Sequence, residues 1–205
     1  MAERIRKFIL ATRNRGKLKE IREMLADLPF EVLSMEDAGI SENIEESGNT
    51  FEENALIKAR KVCGIAGEIA MADDSGLEVD FLDGKPGVRS SRFAGEGASD
   101  RDRNDKLLHL LEGVPFDKRN ARFVCVVAVA FPDGRYFTAR GCCEGFINLN
   151  ARGENGFGYD PIFYLPEYNM TMAQLSSGEK NRISHRGKAL RLMVEKLKRQ
   201  QWAGG

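Results

Sequence analysis

In the first third of the chain, some segments have hydrophobic residues at the spacing of a strand and others have them at the spacing of a helix. Residues 6–11 form an apolar-rich segment typical of a strand, and apolar side chains three and four residues apart predict a helix over residues 17–28. Thr50 followed by Glu53 is a capping-box signature, which predicts a second helix that ends at Gly64. The order strand, loop, helix is typical of α/β proteins.

The middle of the chain predicts strands joined by tight turns. Residues 69–72 form a short apolar strand, which Asp73-Asp74-Ser75-Gly76 is expected to interrupt as a turn before a half-exposed strand. Residues 122–131 are apolar at nearly every position, which predicts the centre of a sheet that is covered on both faces. Pro132-Asp133-Gly134 predicts a hairpin from this strand into residues 135–141.

The last elements complete a mixed pattern. Ser99 predicts the start of a helix that stops at Gly113, residues 161–164 predict a short strand, and residues 187–198 predict a terminal helix. Neither a repeat nor a linker divides the sequence, so residues 1–205 are expected to form a single domain. The mixture of hairpins and helical crossovers predicts an α/β fold with a mixed sheet.

Composition narrows the class of protein. The 205 residues are 42% hydrophobic and 30% charged, with 31 basic and 31 acidic side chains. This balance excludes a disordered, self-repelling chain and a broadly basic nucleic-acid binder, so we expect no stable nucleic-acid partner. The longest apolar runs fall well short of the roughly 18 residues that span a membrane, so we expect no membrane partner and a cytoplasmic location.

Cysteine and histidine usage disfavours disulfides and structural zinc. The cysteines show no C-x-x-C spacing and a chain of this length needs no disulfide, so we expect buried thiols, although two disulfides are formally possible. Neither histidine has a partner at zinc-site spacing. These residues are Cys63, Cys125, Cys142, Cys143, His109 and His185.

The first segment with chemical potential is the polar loop of residues 11–17, between the first strand and the first helix. Backbone N–H groups and the helix dipole bind phosphate at such a place, and Lys17 would add a full charge. Ala11 and Leu18 stand where a Walker A motif needs glycine and Ser or Thr, so the loop is not a P-loop. An ordinary helix cap remains the alternative.

The second segment is acidic. The glutamates of residues 42–46 are expected to be solvated, but Asp73 and Asp74 follow an apolar strand and repel each other unless a cation or donors compensate. Mg²⁺ held by one or two carboxylates and substrate phosphates is the natural cation. An Asx-type turn, with Ser75 and Gly76 satisfying backbone groups, remains the alternative.

Two further segments carry aromatic and basic side chains. The glycine-rich loop 153–160 presents Phe157 for a base to stack on, beside a carboxylate that could accept from the edge of the base; packing of this ring in the core is the alternative. Lys180, Ser184 and Lys188 would share one face if they belonged to a single helix. A solvated helix is the alternative there.

Taken together, these segments closely resemble the inosine/xanthosine triphosphate pyrophosphatase family. The resemblance rests on the order and spacing of short motifs between residues 12 and 187, and a loop at residues 83–92 also fits. The motifs are Ala11-Thr12-x-Asn14-x-x-Lys17, Ser47-Gly48-Asn49-Thr50-Phe51-x-x-Asn54-Ala55, Ala72-Asp73-Asp74-Ser75-Gly76-Leu77, Gly156-Phe157-Gly158-Tyr159-Asp160-Pro161 and Ser184-His185-Arg186-Gly187.

The resemblance implies an elongated, two-lobed α/β fold with the active cleft between the lobes. It also implies a homodimer that uses Mg²⁺ to hydrolyse ITP, dITP and XTP to the monophosphate and pyrophosphate, cleansing the nucleotide pool. Asp74 is then the general base and, with Glu45, a metal ligand. The implied substrate contacts are Thr12, Arg13, Asn14, Arg15, Gly16, Lys17, Ser75, Phe157, Gly158, Tyr159, Asp160, Lys180, His185 and Arg186. Arg13 departs from the glycine that many relatives carry.

Residue chemistry supports this interpretation. Hydrolysis needs a base, a cation on phosphate oxygens and fixed positive charge for the leaving group, roles that suit Asp74, Mg²⁺, and Lys17 with Lys180. Arg186 could donate to the 6-keto oxygen of the purine, and Asp160 could accept from its N1–H. Adenine reverses this pattern, because it has a donor at position 6 and an acceptor at N1. Two alternatives remain: a pyrophosphatase of pyrimidine or modified nucleotides, and a non-catalytic nucleotide- or RNA-binding module.

Overall fold

The computed structural model describes residues 6–12 and 15–200, without the side chains of residues 15, 16, 19 and 20. The fold is α/β, as the sequence predicted. Its elements in chain order are β1 (Arg6–Leu10), α1 (Arg15–Leu25), β2 (Phe30–Ser34), α2 (Phe51–Ala66), β3 (Ile69–Val79), α3 (Asp100–Leu110), β4 (Asn120–Ala130), β5 (Tyr136–Ile147), β6 (Phe163–Leu165), β7 (Met170–Thr171), α4 (Ser177–Ile183) and α5 (His185–Lys198).

One mixed sheet contains all seven strands, in the order β2-β1-β3-β4-β5-β6-β7. β1 pairs in parallel with β2 and β3, so that Phe8 lies opposite both Val32 and Ile69. β5, β6 and β7 pair antiparallel. β4 is the middle strand and nearly all of its side chains are buried, which confirms the predicted sheet centre.

The chain divides into two compact units. The first comprises residues 1–74, 125–140 and 188–205, and the second comprises residues 75–124 and 141–187. Each has its own apolar core, because β3, β4 and β5 contribute side chains at both of their ends. Members of the first core are Phe8, Leu10, Ile21, Leu25, Met71, Val127, Leu190 and Met193; members of the second are Leu77, Leu107, Leu111, Phe123, Ile147, Ile162 and Phe163.

The predicted start of α2 is confirmed, but its predicted end is wrong. Thr50 Oγ1 accepts from the backbone N–H of Glu53, whose carboxylate accepts from the N–H of Thr50 in return. The helix passes through Gly64 and stops at Gly67, which adopts the left-handed conformation with φ 66° and donates its N–H to the carbonyl of Cys63. A glycine within a helix costs only about 1 kcal/mol, whereas the cap requires a positive φ.

The turn that the sequence predicted at Asp73 to Gly76 is absent, because β3 runs without interruption from Ile69 to Val79. Lys180, Ser184 and Lys188 do not belong to a single helix, so the condition for a shared face is not met. Ser184 has extended backbone (φ −63°, ψ 153°) and separates α4 from α5. Its side chain instead accepts from the N–H of Gly187.

Smaller differences concern boundaries. The first helix covers residues 15–25 instead of 17–28, and β5 continues six residues beyond Gly141. A short 3₁₀ turn at Asp160–Ile162 takes the place of the first two residues of the strand expected over residues 161–164. The four cysteines, all in the described part of the chain, are thiols; Cys142 is half-buried and the other three are buried, as expected. Within the described residues, no helix is long and apolar enough to cross a membrane.

Candidate functional site

In the first unit, two acidic side chains of β3 are each met by donors from a helix. Asp73 is buried and accepts from Lys17 Nζ of α1 at 2.6 Å. Asp74 accepts from the side-chain amide of Asn54 on α2 at 3.1 Å, and Lys58 Nζ lies 3.9 Å from its other oxygen. The side chain of Asp74 is 12% exposed, so the hydrogen bond from Asn54 and the ion pair with Lys58 orient a largely desolvated carboxylate.

Lys58 connects the acidic strand to the loop before α2. Its Nζ donates to the backbone carbonyl of Asp73 at 2.6 Å and to Glu46 Oε1 at 3.0 Å. Glu46 is therefore the loop carboxylate tied to this group, whereas Glu45 is exposed. Lys58 was not predicted as a site residue and Asn54 was predicted without a role, although their spacing of four on a helix was a signal that both share one face.

The backbone before α2 packs closely on Asn54. The N–H of Gly48 donates to Asn54 Oδ1 at 2.8 Å, and a Cβ on Gly48 would lie 2.6 Å from Glu53 Cβ and 2.8 Å from Asn54 Oδ1. Asn54 thus receives a bond from this loop while it donates to Asp74. The close approach holds the amide in one orientation, with its donor toward the carboxylate.

Part of the predicted phosphate loop is visible. The N–H of Ala11 donates to the carbonyl of Met71 at 2.7 Å, which ties the end of β1 to β3. Thr12 is half-buried and, with Asp73, supplies the polar lining of a small cavity that is otherwise mainly apolar. Arg13 and Asn14 lie outside the described residues, as do the side-chain surroundings of Arg15 and Gly16.

In the second unit, an exposed aromatic ring lies beside two cations. Phe157 is 55% exposed, and Lys180 Nζ lies 4.6 Å from its ring centroid, with Arg186 Cζ at 5.7 Å. Arg186 Nη2 also donates to Ser75 Oγ at 3.3 Å. The structure therefore brings together four of the predicted substrate contacts, and the alternative that Phe157 packs in the core is wrong.

Asp160 anchors this group. Its buried carboxylate accepts from the N–H of Phe157 at 2.8 Å and from Lys180 Nζ at 2.5 Å, both on Oδ2. A Cβ on Gly156 would lie 2.1 Å from that oxygen, so only glycine allows the approach. Lys180, expected from sequence to meet phosphate, is thus paired with a carboxylate in this structure.

The remaining predicted contacts support the same region of the second unit. Burial raises the pKa of Tyr159, whose hydroxyl donates to the carbonyl of Ser90 at 2.9 Å. His185 is buried, and its ring stacks on Phe123 with centroids 4.9 Å apart. Gly158, with φ 64°, is held by side chains of α3 that were not predicted from the sequence.

Comparisons with known proteins agree over almost the whole chain. The model of the Ham1 family matches residues 8–196. A protein of Desulforamulus reducens named dITP/XTP pyrophosphatase is 56% identical over 194 residues, which cover 94% of this chain and 96% of the relative.

Solved structures give the same picture. A HAM1 protein of Coxiella burnetii is 43% identical with a TM-score of 0.90, covering 95% of this chain and all of that one. The Ham1 protein of Staphylococcus aureus is 40% identical with a TM-score of 0.88, covering 94% of this chain and 98% of that one. The fold class and the family expected from the motifs are therefore confirmed.

Proposed function

Since this chain belongs to the Ham1 family, we propose that it is a nucleoside triphosphate pyrophosphatase. The substrates are ITP, dITP and XTP, and the products are the nucleoside monophosphate and pyrophosphate. The naming of a 56% identical relative as a dITP/XTP pyrophosphatase supports the substrate class. The observation that carries the reaction type is the oriented carboxylate of Asp74, which accepts from Asn54 and lies 3.9 Å from Lys58 Nζ.

Asp74 is the proposed general base. A general base must lie within hydrogen-bonding reach of the attacking water. The carboxylate of Asp74 lies on β3, accepts a hydrogen bond from Asn54 and pairs with Lys58 at 3.9 Å, so it is already oriented in the folded protein. Lys17 and Lys58 supply positive charge in the same unit, which favours phosphate oxygens and the charge that develops on leaving pyrophosphate. The proton from water would pass to Asp74 as the bond to phosphorus forms.

The donor set suits Mg²⁺ as the metal ion. Asp74 and Glu45 offer carboxylate oxygens, the ligands that Mg²⁺ prefers, and this ion commonly binds through one or two carboxylates plus substrate phosphates and water. Among the described residues, no three or more His, Cys, Asp or Glu side chains are grouped as a metal site, so substrate phosphates and water would have to complete the coordination of the ion. When bound, Mg²⁺ would neutralise charge on the phosphate oxygens.

The second unit offers the groups that recognise a purine. The exposed ring of Phe157 is available for stacking, and the guanidinium of Arg186 can donate to a 6-keto oxygen. Asp160 already accepts two bonds, but a carboxylate has about four acceptor positions, which leaves capacity for the N1–H of hypoxanthine or xanthine. Adenine has an acceptor at N1 and a donor at C6, so it would leave these groups unpaired.

A product assay tests the proposal. The protein is incubated with ITP, dITP, XTP, ATP or GTP, with Mg²⁺ or with a chelator, and pyrophosphate and orthophosphate are measured separately. We expect pyrophosphate from ITP, dITP and XTP, little turnover of ATP, and loss of activity with the chelator. Release of orthophosphate, equal rates on ATP, or binding of ITP without hydrolysis would contradict the proposal.

One substitution tests the base. Asp74→Asn should lower kcat by about 10² to 10⁴ fold, the range for removal of a general base, while the protein stays folded. Asp27→Asn, an exposed position in the first unit, is the matched control and should keep full activity. Substantial activity in Asp74→Asn would remove this residue from the role.

The resemblance also implies a cytoplasmic homodimer, which we include in the proposal. Light scattering after size-exclusion chromatography, over a range of protein concentrations, checks the oligomeric state. A mass of one chain at all concentrations would contradict the dimer.

A further inference from the structure

The backbone of Gly158 is held on both sides by side chains of α3. Its N–H donates to Asp100 Oδ2 at 2.6 Å, and its carbonyl accepts from Asn104 Nδ2 at 3.1 Å. Asp100 and Asn104 are four residues apart and therefore share a face of the helix. Arg103 pairs with Asp100 and donates to the carbonyls of Ser91 and Ala98, which fixes that end of the helix to its own loop.

Asn104 is an unusual residue for its position. It lies on the same side of α3 as Leu107 and Leu111, both fully buried, and is itself 6% exposed. Its Oδ1 is buried and accepts no hydrogen bond from the residues that the structure describes. Packing alone favours an apolar side chain at such a place, because a buried acceptor without a donor opposes folding. The hydrogen bond that the Asn104 amide donates to the carbonyl of Gly158 offsets this cost of the buried acceptor.

The two hydrogen bonds from α3 to Gly158 also hold Phe157, the residue before it. The N–H of Phe157 donates to Asp160 Oδ2 at 2.8 Å, and its carbonyl accepts from the N–H of Asp160 at 3.3 Å. Both bonds lie within the loop and fix Phe157 relative to Asp160. The bonds from α3 hold the Gly158 peptide, the ion pair of Asp160 with Lys180 ties the same turn to α4, and Gly158 has φ 64°, a conformation that other residue types rarely adopt.

We propose that Asn104, supported by Asp100, is a positioning residue for base recognition: it holds the Gly158 peptide so that the ring of Phe157 stays where a purine base can stack on it. The inference rests on the proposed function, since it assigns Phe157 to the base. Neither α3 residue contacts substrate in this account. Both residues therefore act on nucleotide binding and on the choice of base. They affect hydrolysis at phosphorus only through those two properties.

The first test compares two alanine substitutions on one helix. Asn104→Ala removes the bond to Gly158, and Asp105→Ala removes an exposed carboxylate whose partner is Arg101 at 3.7 Å. With ITP we expect Asn104→Ala to raise KM about tenfold, the scale of one lost hydrogen bond, and to leave kcat within about twofold. Asp105→Ala should match the parent protein. Equal KM values in the two variants would overturn the inference.

A double-mutant cycle separates positioning from a general loss of structure. If Asn104 acts through the ring, then Asn104→Ala should change KM by less than about twofold when Phe157→Ala is already present. A helix that merely stabilises the fold would give the same factor in both backgrounds, and that result would refute the inference. Thermal melting of each variant shows whether it is folded at the assay temperature.

Asp100→Asn keeps the test open if Asn104→Ala does not fold. The amide oxygen can still accept from Gly158, but the charge is gone, so we expect a smaller rise in KM of about threefold, which is again lost in the Phe157→Ala background. Assays of the unsubstituted protein separate the proposed function from the positioning role. Failure to release pyrophosphate from ITP, dITP or XTP refutes the proposed function, whereas normal turnover with unaffected variants refutes only the positioning role.

Discussion

Lys58→Met should destabilise the protein because Lys58 compensates three acceptors at once. Its Nζ lies 2.6 Å from the carbonyl oxygen of Asp73, 3.0 Å from Glu46 and 3.9 Å from Asp74, and its side chain is 13% exposed. Methionine has a similar length and fills the same space without a donor. The change therefore leaves a backbone carbonyl and two carboxylates without this partner.

The magnitude follows from opposing terms. A pair of unit charges about 4 Å apart contributes about 4 kcal/mol at an effective dielectric constant of about 20, and removal of one partner of a buried pair costs about 3 to 5 kcal/mol. Two effects reduce this loss. Glu46 is 32% exposed, so solvent screens its attraction to Lys58, and the variant no longer has to desolvate a lysine on folding. We expect a net loss of about 2 to 3 kcal/mol, which lowers Tm by about 4 to 12 °C in a protein of this size.

Thermal melting of matched variants checks this reasoning. Lys61→Met, at an exposed position on the same helix, should change the free energy of unfolding by less than about 0.5 kcal/mol. Asp74→Asn added to Lys58→Met should recover about 1 kcal/mol, because it removes one of the uncompensated charges. Equal Tm values for Lys58→Met and Lys61→Met, or a further loss in the double variant, would refute the argument that Lys58 acts by charge compensation.

Two further predictions concern single positions in the second unit. Gly156→Ala should raise KM for ITP at least about tenfold, because its Cβ would lie 2.1 Å from Asp160 Oδ2 at a φ of 82°; an unchanged KM would contradict the assigned role of Asp160. Bonds from Ser99 hold the pKa of Asp102 below its usual range, so this capping contribution is present above about pH 4 and is lost as pH falls through the lowered pKa. The Tm difference between the parent and Ser99→Ala should therefore shrink in acid, and a constant difference down to pH 2 would contradict it.

Local signals in the sequence predicted the parts of the fold that depend on neighbouring residues. The capping box at Thr50 and the covered strand around Val127 are patterns whose physical cause lies within a few positions, and both are confirmed. The end of α2 could not be chosen in this way, because Gly64 and Gly67 both satisfy the local rule. The structure decides between them through the left-handed cap at Gly67.

The candidate site was predictable in its residue types but not in its pairing. The motifs identified Lys17, Asp74, Phe157 and Lys180, yet gave no reason for Lys180 to be paired with Asp160 20 residues away. Such pairs depend on how distant segments meet, which spacing along the chain does not encode. The same holds for Asn104, whose partner Gly158 is 54 residues distant.

The continuous course of β3 changes how the acidic pair is understood. The two adjacent carboxylates were expected to repel each other unless a cation or donors compensate, and to lie in a turn. In a strand, however, successive side chains point to opposite faces of the sheet. Asp73 accordingly meets Lys17 of α1, whereas Asp74 meets Asn54 of α2.

Each carboxylate of the pair therefore has its own donor, and the sheet lies between them. The consequence is a division of roles that a turn would not provide. Asp73 is 5% exposed and pairs with Lys17 Nζ at 2.6 Å, which holds that lysine in place. Asp74 is 12% exposed; it accepts from the amide of Asn54, and its ion pair with Lys58 is longer, at 3.9 Å. Of the two, Asp74 is the more exposed carboxylate and the one with the looser ion pair, which is why we assign the proposed base role to it and not to Asp73.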